Sequence, residues 1–284
     1  LVFVACCLCS AFVWAQDFQR TATGIKATVA DKKTDVEVQW YTPNSLRILK
    51  TPQGKTVEKK SLSVIALPKD PGIKVTTADN ESVIMKSKNL TVTLNIRTGV
   101  VSYAKSDGSL LLKEQENNKA FTPFDDAGRS TYTVYQGFTV SPEEGLYGLG
   151  QLQNGQMMQR NMSKVLVQGN VEDVSPIFQS TKGYGVFWDN YSATTYTDNA
   201  QETSFSSEVG ECIDYYFMYG GSADGVIAEV RTLTGEVPMM PLWSYGFMQS
   251  KERYKSQDET VGVVKKYREL GLSLIHISEP TRPY

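Results

Sequence analysis

From Gly24 to about Tyr219 the chain is built of short runs in which apolar and polar residues alternate, each broken by turn residues. A period of two places successive side chains on opposite faces, so each run predicts a half-buried β-strand. Thr34–Trp40 sets Val36, Val38 and Trp40 on one face against polar neighbours. Leu90–Ile96 alternates as cleanly, turns at Arg97-Thr98-Gly99, and returns as Val100–Tyr103. Ser106-Asp107-Gly108 predicts another tight turn before Leu110–Leu112. Gly183–Trp188 runs into a turn at Asp189-Asn190, and Cys212–Tyr219 is a last long strand stopped by Gly220-Gly221. Many short strands with few helices between them predict an antiparallel β-sandwich.

The pattern then changes period. Ser222–Thr234 reads as a helix: Ser222 is the N-cap, Asp224 lies in the first turn and Gly235 closes it. Val226, Ile227, Val230 and Leu233 form its expected buried face. Val237-Pro238-Met239-Met240-Pro241 is a stiff link. Leu242–Ser250 is nearly continuous in apolar residues, as in a strand covered on both faces. After a charged loop, Ser256-Gln257-Asp258-Glu259 predicts a capping box for a helix that ends at Gly271, with Val263, Val264, Tyr267 and Leu270 on one side. Strand, loop and helix in this order open either an α/β barrel or a doubly wound sheet.

The two ends change the inventory of usable chemistry. Leu1–Ala15 is an uncharged apolar run closing in Val-x-Ala, which predicts a secretory signal cleaved after Ala15 and already lacking its basic start. Leu272–Tyr284 resembles the translation of a transposase-type sequencing adapter and is expected to be non-native. Three of the 4 cysteines lie in the predicted signal, leaving Cys212, and the 1 histidine, His276, lies in the adapter-like tail. The segment 16–271 therefore holds no Ser-His or Cys-His pair, no His-bearing zinc site and no internal disulfide. Carboxylates, lysine and tyrosine remain for acid–base work. Cys212, in a strand-like run, is expected to be a small buried hydrophobe. Lys+Arg 29 against Asp+Glu 31, with no basic stripe, speaks against nucleic acid as a partner. No second long apolar stretch predicts a membrane span in the mature part. The 15 Tyr, 11 Phe and 4 Trp are expected to serve mostly in sheet packing.

Five motifs occur in order: Leu146–Gln151 (LYGLGQ), Gly183–Asn190 (GYGVFWDN), Asp214–Gly220 (DYYFMYG), Leu233–Pro238 (LTGEVP), and Trp243–Ser250 (WSYGFMQS) with Arg253-Tyr254. Together they resemble glycoside hydrolase family 31, the α-glucosidase and α-xylosidase family, over roughly 140–271, with a lean towards the bacterial α-xylosidases. The resemblance implies a mainly β chain. A galactose-mutarotase-like sandwich over 16–238 would precede the first βα unit of an incomplete (β/α)8 barrel over 239–271. It also implies a retaining mechanism with an acidic nucleophile and an acid/base. Both would lie on later barrel strands, so no catalytic residue is assigned, and the acidic residues of the sandwich are expected to be solvated charges or turn formers. Gln249, Glu252, Arg253 and Tyr254, on the loop after the first barrel strand, are candidates for contacting an oligosaccharide substrate. Asn170 and Asp173, in the irregular segment 156–174, are candidates at the mouth of the pocket. No cofactor or metal is implied, and oligomeric state is left open. Two other readings stand beside this one: a stand-alone sugar-binding sandwich, and a mutarotase-like enzyme, whose histidine chemistry 16–271 lacks.

Overall fold

In a computed structural model, residues 18–29, 33–116, 120–245, 251 and 253–272 are described. The predicted signal, almost all of the adapter-like tail, and the candidates Gln249 and Glu252 lie outside them. In chain order the first strands are β1 (Phe18–Arg20), β2 (Gly24–Val29), β3 (Thr34–Trp40), β4 (Ser45–Pro52), β5 (Lys74–Thr77) and β6 (Ser82–Lys86). There follow β7 (Leu90–Asn95), β8 (Val101–Lys105), β9 (Leu110–Glu114), β10 (Phe121–Asp126), β11 (Arg129–Thr139) and β12 (Leu146–Gln151). The last are β13 (Met162–Leu166), β14 (Asp173–Ser180), β15 (Tyr184–Trp188), β16 (Thr194–Asp198), β17 (Thr203–Gly210) and β18 (Ile213–Tyr219). Two helices, α1 (Ala223–Thr234) and α2 (Gln257–Glu269), come after them.

The strands form two antiparallel sheets. One has the order β1-β2-β3-β4-β18-β15-β14-β12, and the other β13-β16-β17-β11-β9-β8-β7-β6-β5, with β10 paired to β11. The alternation predicted for β3 and β7 is present as strictly alternating burial. Their inward residues join Trp188, Tyr103, Tyr196, Phe138, Phe178 and Phe205 in one core. The largest of the fully buried side chains are nearly all aromatic. Such rings are the largest apolar areas a sheet can bury, so they dominate the packing of this fold.

β18 is an almost unbroken apolar run because both its faces are covered. Tyr215 and Phe217 enter the main core, while Tyr216 and Met218 pack on the outside against Val64, Phe187 and Leu233 of α1. Gly185 on β15 makes room for α1: a Cβ there would lie 2.7 Å from Val226. The helix begins as expected, with the Ser222 hydroxyl accepting from the Gly225 amide at 3.1 Å, and it ends at Gly235, φ 86. Val226 and Leu233 are buried, but Ile227 faces solvent, because the buried stripe runs through 226, 230 and 233. Glu229 pins the helix to the β3–β4 turn, accepting from Thr42, Asn44 and Ser45.

The expectation that the sandwich acids are solvated or turn-forming holds for Asp70, Asp79, Asp107 and Asp125, whose carboxylates accept from turn amides. It fails for Glu114, Glu144, Asp189, Asp198 and Asp214, all buried. Each meets a cation from a distant strand or loop: Lys50 with Glu114, Arg47 and Lys59 with Asp214, Lys59 with Asp189, Arg160 with Asp198, and Lys182 with Glu144. Charge desolvation is tolerable there because each carboxylate gains an opposite charge.

The chain divides into two compact units between Gly235 and Glu236. Of the strand expected over Leu242–Ser250, residues 246–250 lie outside the described residues, and Leu242–Tyr245 forms a single 3-10 turn. Pro241 fixes the entry, and the Ser244 amide and hydroxyl both donate to the Pro241 carbonyl, at 2.9 and 2.7 Å. A strand also needs a neighbour for its ladder, and no described strand lies in this unit. α2 starts at the predicted cap, where the Glu259 amide donates to the Ser256 hydroxyl at 3.1 Å. The Glu259 carboxylate reaches back to the Lys255 amide, one residue before the cap. Val263, Val264 and Tyr267 are half-buried and Leu270 is exposed, so the expected apolar face lacks a full cover.

Candidate functional site

The candidates fall into two places, one in each unit. Asp173 is the first residue of β14 and faces Gln151 of β12 in the register. Asn170 lies three residues earlier, in the loop that crosses from β13 in one sheet to β14 in the other. Both are exposed. The loop is held by its own residues. The Gln168 amide donates to the Val174 carbonyl at 2.9 Å and accepts from the Val174 amide at 3.0 Å, imitating one rung of a strand pair. The Gly169 amide donates to the Glu172 carbonyl, and Lys164 pairs with Glu172 at 2.6 Å. Asn170 in the loop and Asp173 at the start of β14 thus lie three residues apart on one cross-linked segment, an exposed amide beside an exposed carboxylate.

Sequence reasoning missed the residues that set this loop, Lys164, Gln168 and Glu172. The signal that could have found them is Gly169-Asn170, a turn pair flanked by side chains long enough to close it. Beside the loop, Leu166, Val174, Pro176, Tyr191 and Ala193 line an open groove. The Tyr191 ring is held in place: its hydroxyl accepts from the Leu62 amide at 2.7 Å, and the Lys59 ammonium lies 4.9 Å from the ring centre.

The neighbouring segment 152–161 is latched to the sandwich. The Gln159 amide donates to the Leu146 carbonyl at 2.8 Å, and the Tyr196 hydroxyl donates to the Gln159 carbonyl at 2.9 Å. Arg160 donates to Asp198 at 2.9 Å, and Asp198 also accepts from the Asn161 amide and the Thr203 hydroxyl.

In the second unit Arg253 is exposed and Tyr254 half-buried. The Lys251 ammonium lies 5.2 Å from the centre of the Tyr254 ring and pairs with Glu259 at the start of α2. The loop is therefore tied to the helix cap through Lys251 and Glu259.

The buried acids Glu114, Glu144, Asp189, Asp198 and Asp214 each meet a cation inside the sandwich. Asp214 is gripped by both arms of the Arg47 guanidinium, at 2.7 and 2.6 Å, and by Lys59 at 2.8 Å. Next to it Cys212 is 5 % exposed, and burial, with the Asp214 charge, pushes its thiol up to about 12. A thiol so far above neutral stays protonated, and it fits the expected role of a small buried hydrophobe. Among the described residues no group of three metal-ligating side chains comes together.

The profile of the galactose mutarotase-like N-terminal domain of glycosyl hydrolase family 31 matches residues 35–196, and that of the family's TIM-barrel domain matches 237–277. The second match continues past Gly271 into the segment that resembles adapter. An α-xylosidase of Saccharolobus solfataricus is 34% identical over 249 residues, 84% of this chain and 34% of that protein. Alpha-glucosidase 2 of Bacillus thermoamyloliquefaciens is 27% identical over 84% of this chain and 31% of its own length. The chain thus spans about a third of the length of these curated relatives. Among solved structures, the GH31 α-xylosidase of Xanthomonas citri superposes with a TM-score of 0.77 at 22% identity, covering 90% of this chain and 44% of that one.

Proposed function

The chain belongs to glycoside hydrolase family 31, and from that membership we propose that the whole protein is a retaining α-glycosidase acting on α-glucosidic or α-xylosidic bonds of oligosaccharides. The observation that carries the reading is the order of parts: a sandwich of this family's N-terminal kind, followed from residue 237 by a match to its catalytic barrel. Retention needs two carboxyl groups about 5 Å apart, one to attack the anomeric carbon and one to protonate the leaving oxygen. In this reading Asn170 and Asp173, and separately Gln249, Glu252, Arg253 and Tyr254, are candidates for contacting substrate hydroxyls without taking part in bond cleavage.

The 284-residue chain is itself proposed to be inactive. Support comes from the buried acids of the sandwich, each of which is engaged by lysine or arginine. The chain is expected to release no nitrophenol from aryl α-glucosides or α-xylosides, whereas a full-length gene product should hydrolyse at least one. Turnover by the chain would overturn its inactivity. A full-length product that cleaves neither would overturn the glycosidase reading.

Export through Leu1–Ala15 belongs to the same proposal. Its support is an uncharged apolar stretch closing in Val-x-Ala before the polar Gln16-Asp17. Placed behind an initiator and a basic stretch, this segment should carry a fused reporter out of the cytoplasm and be cleaved after Ala15. A reporter retained inside and uncut would refute it.

A further inference from the structure

Asn154-Gly155 is the one Asn-Gly pair in the sequence, and it sits at the tip of the latched segment 152–161. Both residues are exposed. The Asn154 side-chain oxygen accepts from the Gln156 amide at 3.1 Å, which folds the side chain back along the Gly155 peptide and polarises its carbonyl carbon. Among the described residues no hydrogen bond engages the Gly155 N–H. A Cβ added at Gly155, φ 70, would meet nothing within 4 Å, so the peptide there has room to turn. No other asparagine of the chain is followed by glycine.

We infer that Asn154 is a site of spontaneous covalent modification in the folded chain, its side chain cyclising onto the Gly155 nitrogen. The Gly155 amide loses its proton to solvent base, and its nitrogen bonds to the Asn154 Cγ. The Cγ–Nδ2 bond breaks, and Nδ2 takes up a proton and leaves as ammonia. The resulting five-membered imide is opened by one water molecule at either carbonyl. One route leaves aspartate in an ordinary backbone, and the other leaves isoaspartate, with the backbone rerouted through the side chain. Water is consumed and ammonia released, with no change of oxidation state.

The fold gives the modification a consequence. Asn154 Nδ2 donates to the Gln159 side-chain oxygen at 3.2 Å. Gln159 is buried and donates its own amide hydrogens to the Gln156 and Met157 carbonyls, so that oxygen stays facing residue 154. Conversion replaces the Asn154 donor with a charged acceptor facing an acceptor, and the isoaspartyl form also lengthens the turn by one backbone carbon. Either product opens the clasp between 154 and 159. The inference is independent of the proposed glycosidase activity.

The test is to incubate the full chain under native, mildly alkaline conditions beside a synthetic peptide of residues 152–157, and to map both by mass spectrometry. Asn154 should gain the mass of the amide-to-acid change at a rate within an order of magnitude of the peptide. The product should divide between aspartyl and isoaspartyl forms, and Asn154→Gln should suppress it. Hydrogen exchange at 154–159 should quicken in Asn154→Asp. An intact Asn154 while the peptide reacts, or modification spread over the other asparagines, would overturn the inference.

Discussion

Replacing Lys50 by methionine should destabilise the sandwich by about 3–5 kcal/mol, the cost of stranding a buried charge. Lys50 lies on β4 and Glu114 on β9, in opposite sheets, and their ion pair spans the core at 2.7 Å. The ammonium uses all three of its hydrogens, on Glu114, the Gly99 carbonyl at 3.1 Å and the Gln136 side-chain oxygen at 3.0 Å. Glu114 in turn accepts from the Val101 amide at 2.6 Å and the Tyr215 hydroxyl at 2.6 Å, and the Tyr103 hydroxyl donates on to Tyr215. Burial, reinforced by the Glu114 charge, pushes both phenols well above the usual tyrosine range, so they stay protonated and can donate. Methionine keeps the volume and removes the cation paired with Glu114. Urea unfolding should show a lower midpoint with an unchanged slope. Lys50→Met combined with Glu114→Gln should be more stable than Lys50→Met alone, because an amide needs no counter-charge. By contrast, Arg129→Met breaks the exposed pair with Glu211 and should cost under about 1 kcal/mol. A Lys50→Met variant as stable as Arg129→Met would show that the inter-sheet charge is not desolvated.

That network also marks where the sequence stopped being readable. Alternation in Thr34–Trp40 and Leu90–Asn95 reports which face is inward, because apart from Thr34 apolar residues fill it. In β4 and β9 the inward positions carry Lys50 and Glu114, which look like surface residues until their partner is known. The partner is 64 positions away, and no local period encodes such a pairing. Helix ends were legible for the opposite reason: Ser222 and Ser256 act within three residues of themselves. Over Leu242–Tyr245 the apolar run misled because a run without alternation does not distinguish a covered strand from a turn, and Pro241 with Ser244 closes the turn. For the candidate site, the segment 156–174, expected to be irregular, in fact holds β13 and the first residues of β14, Asp173 among them, and of the two candidates only Asn170 lies in a loop. The side chains that lock them, Gln168 and Glu172, carry no period at all. The five ordered motifs gave the family, and the structure explains the first of them.

Gly150→Ala should cost about 3 kcal/mol or more and loosen the loop that carries Asp173. Leu146–Gln151 reads as a strand interrupted by glycines, and the interruption is structural. Gly148, Leu149 and Gly150 all have positive φ, at 119, 64 and 93°. Across them the register with β14 jumps from Gly148↔Phe178 to Gly150↔Val174. Ser175, Pro176 and Ile177 therefore face a single residue, and Pro176, which has no N–H to offer, falls where the ladder is already broken. The bend turns Leu149 fully into the core, whose burial offsets its strained backbone. It also presses β12 against β14: a Cβ on Gly150 would lie 2.0 Å from the Asp173 carbonyl oxygen and 2.8 Å from the Ser175 nitrogen. Both are backbone atoms, so relief requires β14 to move, and its first residues are the ones that hold Asp173 and receive the Gln168 clamp. The variant should thus unfold at lower urea and exchange the Val174 amide, which donates to Gln168, faster than the parent. Gly155→Ala, where a Cβ meets open space, should cost only the penalty of the left-handed backbone, about 1 kcal/mol. If the two variants were equally stable, steric closure between β12 and β14 would not be what the two motif glycines provide.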